Sequence, residues 1–234
     1  MELRVATFNI QHGLTGRGEV DVELLAQVCH RLDVDILGLQ EVDRHLERTD
    51  RVDIAGAVAE ACGMACAFGP AIAIRGGEYG NALLVRGDIG ETQVLDLPRP
   101  SGKEARAALI AEVSIAGSRL TVAVSHLSVP VEDSGPQLAA LVDAIGRRPS
   151  PAVILADLNR GPDQLAPLRD AGYAVAGGGP TWPAAKPRRR IDHVAVKGIE
   201  LGDVEIPETH SSDHRPVIAT LTANPTTVTS YRDR

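Results

Sequence analysis

The 234-residue chain is 44% hydrophobic and 24% charged, the make-up of a soluble globular protein with enough length for one large domain. Its net charge of −7 argues against a general nucleic-acid-coating role, which needs a basic stripe to neutralise phosphates, but leaves room for a small anionic substrate steered by a local patch. No apolar run is long enough to span a bilayer, and Cys29, Cys62 and Cys66 are too few for a disulfide framework.

Leu3–Ile10 reads as a strand and not as a secretory leader, which sets the expectation of a cytoplasmic monomer without stable membrane insertion. A Gly-rich loop (Gly13, Gly16, Gly18) follows. Asp21 can cap a helix whose apolar positions Leu24, Leu25, Val28 and Leu32 repeat at helical spacing. Ile36–Gln40 is a buried-type strand, and Asp53–Cys62 a helix stopped by Gly63. That stop, and the absence of two further ligands, speak against a metal at Cys62 and Cys66. Short strands then come quickly: Tyr79–Val85, Thr92–Asp96, Ala107–Val113 and Leu120–Ser125, a spacing that predicts an antiparallel or mixed sheet. Gln137–Arg147 is a helix, Ala152–Ala156 a strand, and Asp163–Ala171 a helix ended by Gly172. Ile191–Val196 and Pro216–Thr222 close the pattern as strands. A single domain over residues 1–222 is expected, with a Thr- and Pro-rich tail at 223–234 that frays from Asn224.

Position carries the functional signal. Val5-Ala6-Thr7-Phe8 runs into Asn9, and Ile36–Gln40 into Glu41. Val122-Ala123-Val124-Ser125 runs into His126, and Val153-Ile154-Leu155-Ala156 into Asp157-Leu158-Asn159. Asp192 opens Ile191-Asp192-His193-Val194, and Ser212-Asp213-His214 precedes the last strand. Polar groups beside core strands are costly unless paired, so their recurrence points to strand ends that converge on one site. Carboxylates with Asn and His, and no cysteine cluster, suit a hard cation such as Mg²⁺ or Mn²⁺. That chemistry fits phosphoester hydrolysis, in which a metal polarises the phosphoryl group and a carboxylate orients or deprotonates water.

The ordered set Thr7-Phe8-Asn9-Ile10, Leu39-Gln40-Glu41-Val42-Asp43, Ser125-His126-Leu127, Ala156-Asp157-Leu158-Asn159, Arg190-Ile191-Asp192-His193 and Ser212-Asp213-His214-Arg215-Pro216 resembles the endonuclease/exonuclease/phosphatase superfamily across residues 3–222. The resemblance implies a deoxyribonuclease-like four-layer α/β/β/α sandwich of two mixed sheets, with the site between them at one end. It implies Glu41 as principal metal ligand, with Asn9 and Asp213 near the metal. Asp157 would align or activate the water, Asn159 would contact the scissile phosphate, and His214, oriented by Asp192, would stabilise phosphoryl charge. His126 resembles the histidine of the deoxyribonuclease, sphingomyelinase and inositol-phosphatase branches. Tyr79-Gly80-Asn81-Ala82, the Glu104/Arg106 pair and Thr181-Trp182-Pro183 fit a compact bacterial phosphatase-like branch. Gln11 stands where many abasic endonucleases carry an acid.

Asn81, Arg106 and Arg190 are the candidates for substrate binding. Arg106 has a plainer reading as the partner of Glu104, and Arg188–Arg190 is either a phosphate clamp or a solvated turn. Trp182 is either a packing plug or a stacking platform. His193, next to Asp192 on a strand, should face the opposite side of the sheet. His12 and His210 lie in loops flanking the site, while Asp35 and Asp43 read as solvated or capping residues. The leading function is a phosphatase or phosphodiesterase acting on a small soluble molecule or lipid headgroup. A nuclease is second, disfavoured by the acidic charge and 3% aromatic content. A binding module that keeps the fold without turnover is third.

Overall fold

The computed structural model describes residues 2–100 and 102–222; the tail expected to fray lies outside them. The chain runs through β1 (Glu2–Asn9), α1 (Val22–Leu32), β2 (Ile36–Arg44), α2 (Ile54–Cys62), β3 (Ala65–Ile74), β4 (Gly77–Val85), β5 (Asp88–Asp96), β6 (Ala107–Ile115) and β7 (Ser118–His126). It continues with α3 (Val131–Gly146), β8 (Ala152–Asp157), α4 (Ala166–Asp170), β9 (Ala174–Val175), β10 (Asp192–Lys197), β11 (Glu200–Glu205) and β12 (Val217–Thr222). One sheet has the order β11-β12-β1-β2-β4-β3, the other β5-β6-β7-β8-β10-β9. Each is mixed: β1 and β2 are parallel, as are β7 and β8, and the remaining neighbours are antiparallel.

Strand pleating sorts the side chains into three apolar layers. Val5, Leu83, Leu109, Val122, Leu155 and Val194 fill the space between the sheets. Phe8, Leu37 and Leu84 turn outward to meet Leu25 of α1 and Val58 of α2. On the far side, Ile110 and Ile154 meet Leu138 and Leu141 of α3 and Leu168 of α4. Helix, sheet, sheet, helix is the sandwich that the resemblance implied. The sheets approach so closely at Gly38 that a Cβ there would lie 2.7 Å from Leu155 Cβ; only glycine fits this crossing without displacing the facing strand.

Local chemistry sets most boundaries where expected. Asp21 accepts from Leu24 N at 2.8 Å and Asp53 from Gly56 N at 3.0 Å, while Gly63 ends α2 in the left-handed region. α3, however, begins at Val131 and not Gln137, with Pro136 inside it, because proline in the early turns of a helix looks in sequence like a start. The predicted helix at Asp163–Ala171 is a 3₁₀ turn over Pro162–Gln164 followed by the short α4. Two longer strands were not foreseen. β3 contains Gly69-Pro70 and β11 reads Glu-Leu-Gly-Asp-Val-Glu, patterns that argue against a central strand. Both are edge strands, where a missing donor or a charged face is tolerated.

Candidate active site

The inter-sheet register that buries Val5, Val124, Val153, Leu155 and Val194, continued by steps of two, reaches Asn9, His126, Asp157 and Asp192. All four are buried at one end of the sandwich. Parallel pairing puts the C-terminal ends of β7 and β8 side by side, with His126 opposite Asp157, and antiparallel pairing sets Asp192 opposite Asp157. The apolar faces thus deliver the polar groups to one place as a direct result of strand period.

Glu41 reaches the site by another route. Leu39 and Val42 both face α1 and α2 although they are three residues apart, and the pairing with β4 shifts register between them. Glu41 occupies this bulge with φ of +57°, uncommon for a residue with a Cβ. The extra residue turns its carboxylate away from the helices and toward Asn9. Gln11, His12 and Asn159 also have positive φ, and such strain gathers where the surrounding structure enforces a functional geometry.

Asn9 ties the two sheets together. Its Nδ2 donates at 3.0 Å to both Glu41 Oε1 and Asp157 Oδ2, while its Oδ1 accepts from Gln11 N at 3.1 Å. Asp157 Oδ1 accepts from Asn159 N at 2.9 Å. His214 Nδ1 lies 3.0 and 3.1 Å from the Asp192 oxygens, and its Nε2 lies 3.8 Å from Asp157 Oδ2. Thr181 donates its hydroxyl to Asp192 Oδ2. Ser212 donates to Asn9 O at 2.7 Å and accepts from His214 N, which seats the His214 segment on β1.

The electrostatics follow from burial and neighbours. Burial raises the Glu41 carboxyl against the help of Asn9. Among the described residues it has no ion-pair partner within 4.0 Å. Asp157 is likewise pushed up, by burial and by the Asp192 charge. For His214, burial opposes the charged ring, but Asp192, Asp157 and Asp213 outweigh it and lift the imidazole to about 10. His126 goes the other way: burial, Arg106 and His214 hold it well below its ordinary value. Arg106 Nη1 stands 3.1 Å from His126 Nδ1. Asn159 Nδ2 stands 3.1 Å from His126 Nε2, which also faces Asp157 Oδ2 at 3.5 Å, so both ring nitrogens meet a side-chain donor.

Asp157, Asp192 and His214 form a tight group able in principle to hold a metal. Asp192 holds the His214 ring through Nδ1 and favours its charged form, an arrangement also suited to handling protons. Glu41 is the desolvated carboxylate that lacks a cation, and its oxygen chemistry, with the second lone pair of Asn9 Oδ1 and the half-exposed Asp213, fits a hard divalent ion.

The other candidates separate. Asn81 donates to Ala107 O at 3.0 Å and its buried Oδ1 is unpartnered. It lines a small depression with Tyr79, Arg106 and His126. Arg106 binds Glu104 at 2.9 Å as well as His126. Arg190, a candidate for substrate binding, is buried, and its Nε, Nη1 and Nη2 donate to the carbonyls of Asp192, Gly179 and Ala176. Asp43 is not solvated; it is fully buried under a two-pronged bond from Arg48, both distances 2.7 Å. His193 does face the other side, where Nε2 donates to Arg160 O at 2.8 Å. His210 borders a separate cavity of about 330 Å³ with Arg4, Leu24, Val28 and Arg31. Thr181 and Ser212 were visible only as neighbours of motif residues; nothing in sequence marks a hydroxyl as the support of a catalytic carboxylate or carbonyl. Tyr79, whose phenol burial and Glu41 push upward, was likewise seen only within its tetrapeptide.

A family model described as Endonuclease/Exonuclease/phosphatase family matches residues 6–214. The fold is shared with an endonuclease/exonuclease/phosphatase from Beutenbergia cavernae (TM-score 0.81, 24% identity, 94% of this chain and 71% of that one). It is shared also with a family protein from Leptotrichia buccalis (0.77, 14%, 94% and 100%) and with truncated TDP2 from Caenorhabditis elegans (0.70, 22%, 95% and 98%). No curated protein matches the sequence.

Proposed function

Because the chain belongs to the endonuclease/exonuclease/phosphatase family, we propose that it is a Mg²⁺- or Mn²⁺-dependent phosphoric ester hydrolase, a phosphatase or phosphodiesterase acting on a small phosphorylated substrate. The observation that carries this is the half-buried, desolvated Glu41 carboxylate, which has no ion-pair partner, near His214, whose charged form its acidic neighbours favour, and Asp157, whose carboxyl burial raises. No helix among the described residues is long and apolar enough to cross a membrane, and a cytoplasmic monomer is part of the proposal.

Glu41 would hold the cation, with Asn9 and Asp213 next to it. When bound, it would polarise the phosphoryl oxygens and offset their developing charge. Asp157, fixed by Asn9 and Asn159, orients the attacking water and takes up its proton; its raised pKa brings that step toward neutral pH. His214, kept charged and fixed by Asp192 and Thr181, donates to the phosphoryl oxygens where negative charge grows. Asn159 gives a neutral donor on the opposite strand ends, and Arg106 and Asn159 hold the His126 ring between them. Asn81 and Arg106 border the substrate.

The test is hydrolysis of bis-p-nitrophenyl phosphate and p-nitrophenyl phosphate, with Mg²⁺ or Mn²⁺, with chelator, and with His214→Ala. Chelator-sensitive turnover that needs His214 supports the proposal, and the preferred ester chooses diesterase or monoesterase. Turnover that survives both treatments would sink it, and nicking of plasmid DNA in preference to either ester would favour a nuclease.

A further inference from the structure

The structure divides the arginine run that the sequence presented as one unit. Arg190 turns inward and is consumed by three carbonyls. Arg188 and Arg189 are exposed, as is Lys186. Among the described residues no carboxylate lies within ion-pair distance of any of the three.

These cations do not sit on a loose turn. Trp182 and Arg189 form an antiparallel bridge, with Trp182 N donating to Arg189 O and Arg188 N and Arg189 N both donating to Trp182 O. Lys186 N closes back on Pro183 O. The loop is also fastened to the segment that carries His214: Ala184 N donates to Asp213 O at 2.6 Å, Arg215 N to Thr181 O, and Arg215 Nε to Ala184 O. Trp182 Nε1 donates to Asp213 Oδ2 at 3.0 Å, while the Arg189 guanidinium lies 5.8 Å from the Trp182 ring centre. Trp182 is therefore neither a free stacking platform nor a simple plug. It links a guanidinium to an acid of the site.

In a chain of net charge −7, three unpaired cations on a fixed loop beside the reacting centre form an anion seat. Guanidinium forks match phosphate oxygens in pairs, and the acidic remainder of the surface would otherwise repel a polyanion. We propose that Lys186, Arg188 and Arg189 bind a second phosphate of the substrate, so that the natural substrate is a small molecule carrying at least two phosphate groups. This deepens the hydrolase reading and rests on it for the location of the scissile phosphate.

The test is calorimetric titration of the metal-free chain with glucose 1,6-bisphosphate, glucose 6-phosphate and a short single-stranded oligonucleotide at one ionic strength. The native chain should bind the bisphosphate about tenfold more tightly than the monophosphate. Arg188→Ala/Arg189→Ala should bring that ratio close to one, and Arg188→Lys/Arg189→Lys should restore much of it, a pattern that loss of packing would not give. Equal affinity for the two sugars, a preference that survives the alanine pair, or tighter binding of the oligonucleotide would each overturn the proposal. Since the titration involves no turnover, preferential bisphosphate binding by a chain whose ester turnover survives both chelator and His214→Ala would sink the hydrolase reading and keep the anion seat.

Discussion

The same four strands meet in two different ways along the sandwich. In the middle, β1, β2, β8 and β10 face each other through Val5, Gly38, Leu155 and Val194, with no room at Gly38 for a single methyl group. At the end they meet through Asn9, Glu41, Asp157 and Asp192, where Asn9 bonds both Glu41 and Asp157 and the Asp157 and Asp192 charges repel. The middle is regular strand; the end carries a bulge and several left-handed residues. The contrast teaches that the apolar stretch holds the sheets in a fixed spacing, and that this rigidity lets the polar end keep a geometry it would not adopt alone.

Breaking the polar end should change rate far more than stability. Asp157→Asn should lower nitrophenyl-ester turnover about a thousandfold, with a melting temperature within a few degrees of the parent. A loss of turnover that merely tracks unfolding would erase the contrast. The middle should show the reverse. Leu155→Ala removes a buried side chain at the tightest crossing and should cost about 2–5 kcal/mol, while kcat of the folded protein stays within a few-fold. Thermal melts and kinetics on the same preparations check both.

A pH series sharpens the comparison, because only the end titrates. His214 is raised in the folded chain from 6.5 to about 10. Its ion pair with Asp192 thus contributes stability fully below pH 6.5, and that contribution is lost as pH rises through about 10. In chelator, the melting temperature should fall over this alkaline window in the parent and much less in Asp192→Asn. The smallest effect is expected on the far face of β10. His193→Gln should weaken the bond that holds Arg160 O next to Asn159 and lower kcat/KM several-fold, with a shift in stability near 1 kcal/mol.

The sequence made the polar end legible wherever strand period alone places a side chain. Asn9, His126, Asp157 and Asp192 lie in register with apolar neighbours, so the pattern that marks the core also marks the site, and the outward turn of His193 follows from the same rule. Glu41 was marked by its place at a strand end and by motif but not by strand period, since it reaches the site through a one-residue bulge that period-two reasoning would have sent to the helices. The place of Arg190 was not settled by sequence, because the backbone sends it inward and leaves its neighbours in solvent. The edge strands β3 and β11 were hidden by Pro70, Gly69 and the acids that suit them to an edge.

One bond deserves a last look: Ser212 donates to Asn9 across 203 residues of chain. β1 lies deep in its sheet between β2 and β12, so the first of the described strands waits for the last of them. Contacts this distant in sequence form slowly and late. The reacting centre is therefore completed only when the whole sandwich has closed, and a nascent or partly folded copy carries the acids and histidines without the arrangement that makes them active.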